Sequence, residues 1–216
     1  MFKPKFVIFD MDGLMFDTET VGEQCMAQAF NNHGLKLTHE NYLRVVGCSG
    51  EVARRILFDL YGKDYPFESI RKDTRELLQK NIQENGLIIK PGLMELLNYL
   101  KNENIPCCVA SSTRREGVEN YLEIAGVKDY FQFLVCGNEV SMTKPEPEIF
   151  LKALEKTGVK ANEALVLEDS INGIIASSRA NIPVICVPDM IVPPKEIRAK
   201  CLCIIDRLDL LVDLIK

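Results

Sequence analysis

Six short apolar runs, separated by stretches of helical periodicity, constrain the fold of this chain more than any other feature of its sequence. Residues 5–10, 106–111, 133–136, 164–168, 183–187 and 202–205 are largely β-branched or aromatic and show no polar alternation. Strands that read as continuous apolar runs are buried on both faces. Between them, residues 93–102, 115–125, 147–157, 171–180 and 208–215 carry the spacing of amphipathic helices. Strands alternating with helices predict an α/β fold, a doubly wound parallel sheet covered on both sides.

From residue 17 to residue 87 the alternation stops. Helical patterns at 19–32, 39–46, 51–61 and 67–84 follow one another with no strand between them, and the last contains neither Gly nor Pro. An inserted α-helical bundle is therefore expected over 17–87, with 1–16 and 88–216 forming the core. Asn85-Gly86 and Pro91-Gly92 punctuate the return.

Composition narrows the function. With 26 basic and 31 acidic residues the formal charge is −5, which argues against nucleic acid as a partner. No apolar run approaches the ~20 residues of a membrane span, and residues 6–9 are too few for the apolar region of a secretory signal. A cytoplasmic protein without membrane association is expected. The eight cysteines form no C-x-x-C pair, and His33 and His39 lie in a polar stretch away from them, so free thiols are expected rather than zinc ligands or disulfides.

The chemistry is concentrated where strands end. The first run closes in Phe9-Asp10-Met11-Asp12-Gly13, and open parallel sheets hold ligands at the carboxyl ends of their strands. Two acids ~4 Å apart repel by about 4 kcal/mol at an effective dielectric of 20, so a cation or a proton must relieve them. Glu168-Asp169 repeats the arrangement after the fourth run, Ser111, Ser112 and Thr113 follow the second, and Lys144 precedes Pro145. If these ends converge, four acids and one lysine leave a formal −3. Hard carboxylate oxygens then call for a divalent cation of the Mg²⁺ kind, and the cation with Lys144 would attract a phosphate. The calcium loop fails on spacing, because Gly13 stands fourth from Asp10 rather than sixth. Neither a P-loop nor G-x-G-x-x-G occurs.

With these motifs in order, the chain resembles the haloacid dehalogenase superfamily of phosphotransferases, and within it the β-phosphoglucomutase-like phosphatases with a helical cap. The resemblance is carried by Phe9-Asp10-Met11-Asp12-Gly13-Leu14 with Asp17-Thr18-Glu19, by Val109-Ala110-Ser111-Ser112, by Lys144-Pro145 with Pro147, and by Leu167-Glu168-Asp169-Ser170 with Gly173. It implies a phosphoric monoester hydrolase in which Asp10 is the nucleophile that forms an aspartyl phosphate, and Asp12 the general acid and then general base. Mg²⁺ would be held by Asp10, Asp169 and the main-chain carbonyl of Asp12, with Glu168 helping directly or through water. Ser111 and Lys144 would bind the transferring phosphoryl group. Ser112, with Thr18, Glu19 and Arg54 of the cap, would contact the substrate.

The resemblance also separates phosphatase from mutase. Mutases of this type carry a histidine on the first cap helix and an arginine after a Gly-x-Ser loop. Here Gly22 stands at the first position, and Gly50, after Gly47-Cys48-Ser49, at the second. Hydrolysis of a small phosphorylated sugar, sugar alcohol or hydroxy acid is the expected activity of a monomeric enzyme. A phosphosugar mutase and a non-catalytic protein that binds a phosphorylated ligand or a partner are the alternatives, and dehalogenation fits the paired acids poorly.

Overall fold

The computed structural model describes residues 3–48 and 50–215; Ser49, in the cap loop pattern above, lies outside them. The chain divides into two compact units, Met1–Phe16 with Ile88–Lys216, and Asp17–Leu87.

The larger unit is an α/β sheet of six parallel strands. β1 (Phe6–Phe9), β2 (Cys107–Ser111), β3 (Leu134–Cys136), β4 (Ala164–Glu168), β5 (Val184–Cys186) and β6 (Cys203–Ile204) lie in the order β3-β2-β1-β4-β5-β6. β1 is central, and its residues are at most 2% exposed. The chain winds from β1 to β2 and β3 on one side, then crosses over to β4, β5 and β6. That reversal makes a crevice at the carboxyl ends of β1 and β4, the place where such sheets bind ligands.

Alternate residues of each strand face opposite sides. Phe6, Ile8, Cys108, Ala110, Ala164 and Val166 form one core with Ile149, Phe150 and Ala153 of α7 (Glu148–Thr157) and Ile174 of α8 (Ile171–Arg179). Their neighbours Val7, Phe9, Val109, Leu165 and Leu167 are fully buried too, so the sheet is covered on both faces. α5 (Leu93–Asn102), with Leu93, Leu96, Leu97 and Leu100 buried, and α6 (Arg115–Ile124) belong to the strand connections of the other half.

The smaller unit is all helical: α1 (Thr18–Asn32), α2 (His39–Leu43), α3 (Gly50–Tyr61) and α4 (Phe67–Asn85). Asp17 caps α1 by accepting from Thr20 N, and Thr38 caps α2 by accepting from Asn41 N. Edge-on and tilted contacts among the rings of Phe30, Phe58, Tyr61, Tyr65 and Phe67 hold the helices together. α2 stops at Leu43 rather than continuing to residue 46, because Val45 N turns back to Tyr42 O and Cys48 N to Val45 O, with Gly47 at φ +67°. Two short helices near the end are α9 (Lys195–Arg198), to which no helical pattern in the sequence points, and α10 (Leu210–Ile215). α9 is built from i to i+4 bonds that begin on Pro194 O. No helix among the described residues is long and apolar enough to cross a membrane.

The central strand sets the stability of this unit. Ile8→Ala, at a fully buried site, is expected to destabilise the protein by about 2–5 kcal/mol. Urea unfolding of the two proteins measures it, and a loss below about 1 kcal/mol would mean that the site collapses without leaving a cavity.

Candidate active site

Sheet register brings the acids together. Phe9 pairs with Val109 of β2 and Leu167 of β4, and Asp10 N donates to Leu167 O at 3.0 Å. Asp10 therefore emerges beside Glu168 on one side and the end of β2 on the other. Asp10, Glu168 and Asp169 each place a carboxylate oxygen within 4.8 Å of the others.

Lys144 lies at the centre of this group. Its Nζ donates to Asp10 Oδ1 at 2.5 Å, Glu168 Oε1 at 2.6 Å and Ala110 O at 3.2 Å, so all three ammonium protons have acceptors. It also stands 4.8 Å from the centre of the Phe150 ring. The side chains of Lys144, Asp10 and Glu168 are 6%, 10% and 0% exposed. The loop that delivers Lys144 is pinned on both sides. Glu148 accepts from Ser141 N and Met142 N, while Arg179 Nη1 donates to Pro145 O and Glu146 Oε1.

Glu168 is saturated. Beyond the Lys144 bond on Oε1, its Oε2 accepts from Asp169 N, Ser170 N and Ser170 Oγ at 2.9–3.1 Å. Gly173 makes room for it, since a Cβ there would collide with the Glu168 carboxylate. Asp12 points elsewhere. Its Oδ2 accepts from Ser111 Oγ at 3.2 Å and Thr113 Oγ1 at 2.7 Å, and its carboxylate is not among the three that cluster. Ser111 Oγ in turn accepts from Thr113 N. Ser112 is exposed, with its carbonyl packed against Gly137.

In the helical unit, Thr18 is buried at the start of α1, and Glu19 accepts from Tyr42 Oη at 2.9 Å. Arg54 of α3 is exposed, its guanidinium 5.2 Å from the Phe58 ring centre and 6.0 Å from that of Phe67. A Cβ on Gly22 would stand 3.0 Å from Tyr42 Oη, and one on Gly50 would stand 3.1 Å from Arg71 Nη2.

Two of the residues in these contacts, Lys90 and Asp189, are not singled out by the sequence motifs, and a third, Thr113, is marked there only as part of a polar strand end. Thr113 sits in the polar run after β2 and holds Asp12. Asp189 follows β5, and Lys90 follows Ile89; Lys90 Nζ donates to Asp189 Oδ1 at 2.6 Å. For Asp189 a signal existed, an acid just past the end of an apolar run, as at Asp10 and Glu168.

The charge balance explains the proton affinities. Burial is the largest influence on Asp10 and pushes its carboxyl up; Lys144 pulls it down without cancelling, and Glu168 and Asp12 add to the rise, which reaches about 8. Burial pulls the Lys144 ammonium down, but Asp10 and Glu168 outweigh it and hold it above the ordinary lysine range. The metal-free cluster thus favours one more positive charge than Lys144 supplies. Oxygen-only donors on buried Asp10 and half-buried Asp169, short of positive charge, fit Mg²⁺.

The sequence profile of the haloacid dehalogenase-like hydrolases matches residues 7–187, from β1 through the end of β5. The chain belongs to this family. It is 32% identical over 177 residues to the phosphorylated carbohydrates phosphatase of Thermotoga maritima, covering 82% of this chain and 81% of that one. It is 33% identical over 193 residues to a Drosophila melanogaster protein named "Probable pseudouridine-5'-phosphatase", covering 84% and 80%. Among solved structures, CbbY of Rhodobacter sphaeroides in complex with phosphate superposes with a TM-score of 0.82 over 96% of both chains, at 25% identity. The β1, β2 and β4 ends that carry Asp10, Ser111 and Glu168 all lie within the matched family region.

The Asp10 shift has a stability signature. Asp10 in the folded, metal-free chain keeps a proton that the unfolded chain releases near the ordinary value of 3.8. Wild type should therefore lose stability relative to Asp10→Asn as pH rises from about 4 to about 8, with the difference level above that. Thermal unfolding of both proteins in chelator across this range measures it. A difference independent of pH would exclude a raised Asp10.

Proposed function

We propose that this haloacid dehalogenase-like hydrolase is a Mg²⁺-dependent phosphatase that hydrolyses a small phosphate monoester through an aspartyl phosphate on Asp10. The observation that carries this reading is the buried Asp10–Lys144–Glu168 cluster at the switch point of the sheet, with Asp169 beside it and Asp12 turned to the Ser111 and Thr113 hydroxyls.

Asp10 needs no base to become a nucleophile once its carboxylate is ionised. Its oxygen forms a bond to phosphorus while the bond from phosphorus to the leaving oxygen breaks. Asp12 delivers a proton to that oxygen, then takes one from the water that attacks phosphorus and breaks the Asp10 ester. The Ser111 and Thr113 hydroxyls orient Asp12 for both transfers. Lys144 carries positive charge toward the phosphoryl oxygens and keeps Asp10 in place. Magnesium, held by Asp10, Asp169 and the main-chain carbonyl of Asp12, supplies the remaining charge compensation when bound. Glu168, with four hydrogen bonds on its two oxygens, supports Lys144 and Asp169 from behind.

The relatives are named for phosphorylated carbohydrates and for pseudouridine 5'-phosphate, which supports a small phosphorylated metabolite as substrate. Ser112, Thr18, Glu19 and Arg54 are the residues assigned to its leaving group. We assign the protein to the cytoplasm, a reducing compartment in keeping with the eight free thiols, and to a monomeric state. One observation favours a mutase instead: the Arg71 guanidinium borders the space beside Gly50 and places there the cation that Gly50 itself lacks.

Phosphate release from a panel of phosphorylated sugars, polyols and nucleosides is expected with Mg²⁺, lost on chelation, and restored poorly by Ca²⁺. Asp10→Asn should lower turnover at least about 10³-fold with the circular dichroism spectrum unchanged. Turnover in excess chelator sinks the metal role, and near-normal Asp10→Asn sinks the nucleophile. With β-glucose 1-phosphate and a trace of the bisphosphate, glucose 6-phosphate formed faster than free phosphate would establish the mutase.

A further inference from the structure

β5 delivers a fifth acid to the same end of the sheet, and the mechanism above does not use it. Glu168 lies opposite Cys186 in the β4–β5 ladder, and Val187 N donates to Glu168 O at 2.8 Å, so the chain leaving β5 runs beside the metal-binding acids. Asp189 sits on that exit, its side chain nine-tenths buried. Its Oδ1 accepts from Lys90 Nζ at 2.6 Å. Its Oδ2 is buried and meets no hydrogen-bond donor among the described residues. A Cβ on Gly13 would collide with Asp169 Oδ2 and stand 3.1 Å from Asp189 Oδ2, so both oxygens converge on a space that only glycine leaves open.

A buried carboxylate oxygen with no donor, facing a second carboxylate, is strongly disfavoured unless a proton-bearing group stands between them. Lys90 answers for Oδ1 alone. Mg²⁺ surrenders its hydration shell reluctantly and keeps several waters in protein sites. Such waters are donors, and protein carboxylates beyond the direct ligands accept from them.

We propose that Asp189 Oδ2 is an acceptor for a water on the Mg²⁺ held by Asp169, with Lys90 fixing the carboxylate by its other oxygen. Asp189 is then a positioning residue for the metal. The inference rests on the magnesium reading of the site. The competing role is a strut, in which Asp189 only anchors Lys90 and the chain around it.

Asp189→Asn separates the two. The amide keeps an oxygen for Lys90 and replaces the acceptor at Oδ2 by a donor. Calorimetric titration of MgCl₂ into the metal-free full chain should show affinity at least about 10-fold weaker than wild type, and the rise in thermal midpoint that Mg²⁺ gives wild type should shrink. Asp189→Ala is titrated alongside, so that loss of either variant to misfolding leaves the other to be read. Wild-type Mg²⁺ affinity in a folded variant overturns the inference, even if the metal-free midpoint falls, as a strut alone would predict. Mg²⁺ binding by wild type that Asp169→Asn abolishes, with Asp189→Asn unaffected, leaves the magnesium site standing and removes only Asp189 from it. Absence of Mg²⁺ binding by wild type overturns the magnesium reading together with the inference.

Discussion

The arrangement of the larger unit depends on one ammonium group placed between two buried carboxyl groups. Desolvating Lys144, Asp10 and Glu168 together is costly, and only close geometry with every proton and lone pair engaged makes it tolerable. Removing one partner of such a group costs about 3–5 kcal/mol, because the others stay buried without compensation. The adjacency of β1 and β4 is therefore an electrostatic requirement as well as a packing outcome. The hydrogen bonds of Glu148 and Arg179 to the 141–146 loop serve the same requirement from outside, by restricting where Lys144 can go.

One lysine does not balance the acids it faces. Asp10 responds by holding its proton, with burial the first cause, so the metal-free chain keeps a proton where a cation would do the same electrostatic work. An added cation would favour the ionised Asp10 carboxylate for the same electrostatic reason.

The parallel sheet was legible in the sequence because its strands are buried on both faces and so appear as uninterrupted apolar runs; residues 164–168 form β4 with those same limits. The acids at the ends of two such runs, and the polar run after a third, were legible as a site for the same reason. Side-chain trajectories were not. Nothing in Lys144-Pro145 announces that the ammonium reaches Ala110 O as well as two acids, nor in Asp12 that its carboxylate turns to Thr113 while Asp10 turns to Lys144. α9 escaped because four residues carry no periodicity, and the end of α2 was lost because local backbone bonds around Tyr42 and Gly47 decide it.

Glycines account for much of what remained hidden, because they act through the space they leave. Gly173 admits the Glu168 carboxylate to the first turn of α8, where Ser170 can share a hydrogen bond with it. Gly13, at φ +81°, turns the chain after Asp12 and opens the space that Asp169 and Asp189 share. Gly50 leaves a gap that the Arg71 guanidinium borders. A missing side chain in the sequence is therefore weak evidence for a missing charge in space. Arg71, the fifth residue of α4, brings its guanidinium to 3.1 Å from where a Cβ on Gly50 would stand, so the charges that border that loop cannot be read from the residue at position 50 alone.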